Sequence, residues 1–194
     1  MVFTKSLVTA IEMKFFENWR KLNKRAKIAV GLFILALLFL DIGVFTNGWA
    51  TVKVSQPTTS AFGFNLDDYG YHSRSYTVGL SYYRSETAGD AAYYLLLIAI
   101  LASVASFFFM DVHIVLLLME NRMDTVNNML KFTIVSAFLG GIFAIIGIII
   151  FAATFYHGDV VVNYSIFLTA IGAGVLLVGG EEAMKSRTEI QLVA

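Results

Sequence analysis

The chain has 194 residues, 58% of them hydrophobic and 14% charged, with mean hydropathy +0.73, whereas a soluble domain is about half apolar and about a quarter charged. Lys and Arg balance Asp and Glu at 14 each, so no general attraction to nucleic acid is indicated. The absence of cysteine excludes disulfides, thiolate metal sites and a cysteine nucleophile.

In residues 1–27, Phe3, Leu7, Ile11, Phe15 and Trp19 recur at every fourth position, followed by Leu22. Lys5, Glu12, Lys14, Glu17, Arg20 and Lys21 fall largely off that stripe. The pattern predicts an amphipathic helix, either lying on anionic lipid or docked on the protruding end of the second span. The first span is expected over 28–46, beginning "IAVGLFILALLFLDIGVF". It is too long for the apolar core of a signal peptide, and no small-residue cleavage site follows before Trp49.

Residues 47–90 break the apolar character. "ATVKV" and "SYTVGLSYY" alternate with period two and are rich in β-formers, and Asp67, Asp68, Tyr69 and Gly70 read as a turn between them. A structureless connection of this length is unusual, which predicts an antiparallel sheet of three to five short strands.

The second span is expected over 91–119. About 20 residues bring it to the inner boundary near Asp111, so its remainder should continue past the headgroups. A loop at 120–131 leads to the third span at 132–155, a short outer loop at 156–159, the fourth span at 160–180 and a tail at 181–194. Of the 14 Lys and Arg residues, only Lys53, Arg74 and Arg84 fall between the first and second spans. The rest precede the first span, join the second to the third, or follow the fourth. This asymmetry predicts both termini in the cytoplasm and residues 47–90 outside.

The expected fold is therefore a membrane all-α bundle of four transmembrane helices carrying a small extracellular antiparallel sheet. Four spans, a strand-rich first outer loop, a short second one and small-residue-rich third and fourth helices resemble the claudin, peripheral myelin protein and stargazin superfamily. That family carries a Trp early in the first loop, then Gly-Leu-Trp and two cysteines. Trp49 matches the first element, and Gly79 and Leu80 match Gly-Leu. Ser81 stands in place of the second Trp, and both cysteines are absent. The resemblance implies a claudin-like fold and non-enzymatic action through protein contacts. The missing bridge, worth about 2–4 kcal/mol, leaves the sheet to be held by aromatic packing or by a partner.

Candidate partner contacts on the outer segment are Asp67, Asp68, Tyr69, Tyr71, Tyr82 and Tyr83. Asp41, a carboxylate inside the first span, is expected to accept a hydrogen bond from a neighbouring helix rather than to coordinate an ion. Asp111 and His113, two apart on a helix, point to different faces, which argues against a shared metal or proton site. The glycines of the third and fourth spans predict close helix packing. Asn163-Tyr164-Ser165 is a glycosylation sequon too near the span edge to be modified. No catalytic set and no cofactor or metal site emerges. Two functions compete: adhesion or junction organisation through contact with itself or a neighbouring-cell protein, and service as an auxiliary subunit of an ion channel or receptor. A small transporter or membrane enzyme comes third.

Overall fold

The computed structural model describes residues 22–56, 72–81, 87–119, 123–155 and 160–193. Most of the N-terminal stripe and the expected contacts Asp67, Asp68, Tyr69, Tyr71, Tyr82 and Tyr83 lie outside the described residues.

Four helices carry the fold: α1 (Lys24–Phe45), α2 (Thr87–Leu118), α3 (Met123–Phe155) and α4 (Tyr164–Val193). Each is long and apolar enough to cross a membrane. The Asn23 side chain starts α1 by accepting from the Arg25 backbone N–H at 2.8 Å. The helix ends where Thr46 turns extended, with φ −85° and ψ 158°. Residues 24–27, expected in an N-terminal helix over 1–27, thus belong to the first spanning helix.

Each helix buries one stripe spaced by three and four residues. On α1 the stripe is Ala26, Ala29, Phe33, Ala36, Leu40, Gly43 and Val44. α3 buries Thr133, Ala137, Gly140, Gly141, Ala144 and Gly147 at its centre. Such small residues let backbones approach, which is how helices associate where lipid supplies no hydrophobic drive. A side chain at Gly141 would run into Leu177 of α4, and one at Gly147 would meet Leu96 of α2. α2 packs most extensively on α3 and α1 on α4, with α3 and α4 joining the two pairs.

Helix lengths are unequal. α1 has 22 residues, about 33 Å at 1.5 Å per residue, against 32 for α2 and 33 for α3, about 48–50 Å. A hydrocarbon core is about 30 Å thick. α2 continues through Asp111 to Leu118, as its sequence suggests. α3 begins at Met123, so most of the segment expected as a loop over 120–131 is helical. α4 likewise runs on through the expected tail to Val193.

At the other end lies a three-stranded antiparallel sheet, in the order β2 (His72–Val78), β1 (Ala50–Gln56), β3 (Val160–Val162). β1 pairs with β2 from Ala50↔Val78 to Gln56↔His72 and with β3 from Ala50↔Val162 to Val52↔Val160. Among the described residues, segment 47–90 supplies two strands. The third comes from Val160–Val162, expected as the start of the fourth span; α4 begins only at Tyr164.

Candidate functional site

Among the described residues, hydrogen bonds concentrate in the collar where the sheet meets the helix ends. Trp49 is its centre and is fully buried. Its backbone N–H donates to Val78 O at 3.1 Å, and its carbonyl accepts from the Asn163 N–H at 3.2 Å, so one residue ties all three strands together. Its indole Nε1–H donates to Gly43 O at 2.8 Å. The last four carbonyls of a helix lack partners within it. The indole satisfies one of α1's, and the Thr46 N–H satisfies another by donating to Ile42 O at 3.2 Å. The Trp49 ring meets Phe151 of α3 edge to face, with centroids 5.0 Å apart, and Phe151 meets Phe155 at 5.1 Å.

The start of α4 closes the collar. Ser165 N–H donates to Gly48 O at 3.0 Å, and the Ser165 and Thr46 hydroxyls share a hydrogen bond. Asn163 Nδ2 donates to the Thr51 hydroxyl at 3.2 Å while its Oδ1 accepts from the Tyr164 N–H at 2.8 Å. Two glycines permit these approaches. A side chain at Gly48 would enter the Tyr164 ring, and one at Gly79 would come within 2.8 Å of Asn47 Oδ1. Leu80 is buried beside them. The structure thus brings Trp49 and the adjacent pair Gly79-Leu80 into one junction.

Asp41 is placed differently from expectation. It lies on the exposed side of α1 with Leu38, Ile42 and Phe45, and it makes no hydrogen bond or ion pair among the described residues. The helix is apolar all round, so nothing in its pattern marks which side faces α4; the 3.6-residue period turns Asp41 outward. In the bundle interior most hydroxyls find one another or the backbone, whereas the buried Ser103 hydroxyl of α2 has no partner among the described residues. Ser106 of α2 and Ser136 of α3 lie 3.0 Å apart, and Thr169 donates to Ser165 O at 2.8 Å.

Asp111 and His113 do point apart: Asp111 is partly exposed, and His113 is buried between α2 and α3. His113 Nδ1 lies 2.8 Å from Val126 O, so the ring donates there and Nε2 carries the lone pair. Nε2 has no partner among the described residues. At the same end Arg25 pairs with Glu182 at 3.1 Å, joining α1 to α4. Among the described residues no three His, Asp or Glu side chains gather into a metal-binding group.

Four spanning helices and a small antiparallel sheet at one end define a multi-pass membrane protein. Comparison with protein-family models and with curated protein sequences finds no match.

Proposed function

We propose that this is a non-enzymatic, claudin-like tetraspan protein of the plasma membrane. It holds both termini in the cytoplasm and acts through extracellular and in-membrane protein contacts in cell–cell adhesion or junction organisation. The observation that supports this reading is the collar. It anchors strands from two separate chain segments on the helix ends, through backbone bonds and one buried indole, and so presents a fixed sheet rather than a mobile loop. A platform of that kind suits recognition of another protein surface. The orientation rests on the placement of Lys and Arg.

Non-adhesive cells expressing the chain, mixed with differently labelled cells that do or do not express it, test the proposal directly. Enrichment of the protein at contacts between expressing cells, with aggregation above that of control cells, is the expected result. Unchanged aggregation together with stoichiometric recovery of a channel or receptor subunit in mild detergent would overturn it. That outcome belongs to the second reading, an auxiliary subunit, which is favoured by one observation: the Asp41 carboxylate faces out of the bundle among apolar side chains, where a donor on a partner helix would meet it.

A further inference from the structure

Charge marks where the bundle leaves the membrane on the side away from the sheet. The Ser106–Ser136 contact fixes the register of α2 against α3. Asp111 and Lys131 each lie five residues beyond it toward that end, and the Arg25–Glu182 pair stands at the same end of α1 and α4. Charged side chains collect at the headgroups and not in hydrocarbon, so the α2–α3 tip past Asp111 lies outside the membrane.

His113 stands in that tip, 1% exposed between the two helices. Its Nδ1–H donates to Val126 O at 2.8 Å. Among the described residues this is the only side-chain hydrogen bond that joins α2 to α3 beyond the Ser106–Ser136 contact. The other buried side chains at this level are apolar: Met110 and Ile114 on α2, Val126 and Leu130 on α3. Nε2 meets no partner among the described residues.

The neutral ring fits this place and the charged ring does not. With Nδ1 already donating, a second proton has only Nε2 to occupy, where it would be a buried donor on a cation without an acceptor. The charged groups of the tip do not supply one. Asp111 is partly exposed on another face of α2, and Asp124 and Lys131 of α3 are exposed. At this end of α1 and α4, Arg25 and Lys185 pair with Glu182, and Glu181 pairs with Lys185. Lys24 and Lys27 of α1 would repel an imidazolium. Burial therefore lowers the pKa of the ring, and the Val126 carbonyl, which favours the charged form, offsets this only in part.

We propose that His113 is an acid-sensitive latch, which holds the inner ends of α2 and α3 together while neutral and lets them part when Nε2 takes a proton. In an opened tip the ring reaches water and titrates as an ordinary imidazole, near about pH 6.5. In the closed tip it titrates at lower pH. Closure is therefore at full strength above about pH 6.5 and weakens as pH falls toward the closed tip's own pKa. Over that window the open-to-closed ratio rises by up to about tenfold per pH unit, and below it no further loss follows. Opening stays local, because nearer the sheet Gly140 and Gly147 seat α3 against Ala99, Ala102 and Leu96 of α2, where nothing titrates.

Hydrogen exchange on the full chain in lipid nanodiscs, corrected for the intrinsic effect of pH on exchange, reads rare open forms. From about pH 7.5 to about pH 5, protection of amides in 110–119 and 123–130 should fall by up to about tenfold per unit below about pH 6.5, while protection in 96–106 and 136–147 holds. His113→Leu carries no titrating group, and His113→Gln can still donate to Val126 O; the second keeps the test open if the first packs badly. In both, tip protection should not change with pH. Unchanged tip protection in the wild type overturns the proposal. An equal fall in the variants overturns it as well and assigns the effect to another group, such as Asp111 or Asp124. A fall that extends through 96–106 also overturns it, since that is acid unfolding of the bundle and not opening of the tip.

Discussion

Replacing Trp49 by Phe isolates one hydrogen bond. The substitution keeps a ring against Phe151, where an aromatic pair contributes about 0.5–1.5 kcal/mol, but it removes the Nε1–H that donates to Gly43 O at 2.8 Å. Gly43 is buried and lies within the last turn of α1, so its carbonyl has no other helical donor to turn to. A buried polar atom left unsatisfied costs about 1–3 kcal/mol. At about 2–4 °C per kcal/mol for a chain of this size, a loss of about 2 kcal/mol lowers the melting temperature by about 4–8 °C. Trp49→Ala also loses the ring, a further change in the class that costs about 3–5 kcal/mol. Far-UV circular dichroism of purified protein in one detergent, heated at one rate, reads all three chains. If Trp49→Phe melts with the wild type while Trp49→Ala does not, ring packing alone holds the collar, and the argument from the helix carbonyl fails.

Two glycine substitutions on α1 should part in sign. A methyl at Gly43 would press on backbone atoms of α4, Thr169 N at 2.7 Å and Ser165 O at 3.0 Å, so Gly43→Ala loses about 1–3 kcal/mol by overpacking. Gly31→Ala meets nothing within 4 Å and should gain up to about 1 kcal/mol in helix propensity; equal melting shifts for the pair would refute the packing of α1 on α4. His113→Leu removes the unpartnered Nε2 together with its bond to Val126 O, whose helical partner remains. Its melting temperature should stay within about 2–4 °C of wild type, whereas His113→Ala leaves a cavity and falls further. Asn163 should carry no glycan, because its amide and the buried Ser165 are committed to the collar; a mobility change on enzymatic deglycosylation that Asn163→Gln abolishes would show otherwise.

The spans were legible because each needs only about 20 apolar residues in a row. The far end of α2 was legible too, but the ends of α3 and α4 were not, since composition marks the apolar run and not the helix, which on both continues into polar sequence. β3 was hidden for a related reason: "VVV" ahead of Asn163 belongs to an apolar run, and periodicity cannot separate a short buried strand from the start of a helix. The outward placement of Asp41 was lost in a helix that is apolar on every side. Trp49 was visible as a position, but its main partners are backbone atoms of Gly43, Val78 and Asn163, which carry no residue-type signal. A strand ending at Val78 and a helix beginning after Asn163 gave no hint that both close on the backbone of one residue, Trp49.

The collar also bears on how segment 47–90 is held in a chain without cysteine. A disulfide there would restrain only a short loop. The collar instead joins residues as far apart as Thr46 and Ser165, 119 positions in sequence, and draws in α1, α3 and α4 along with the three strands. Ordering the base of the sheet and packing the bundle are therefore one event, because the bonds that hold the strands are made to helix ends that come together only when the helices pack. Substitutions in the collar should accordingly lower stability and surface expression together. Substitutions on the strands beyond Thr51 and Thr77 leave those bonds intact, and that is where a loss of contact function at normal expression should be found. A variant there that reduces cell aggregation without changing the melting temperature would separate recognition from folding, a separation that collar variants cannot give.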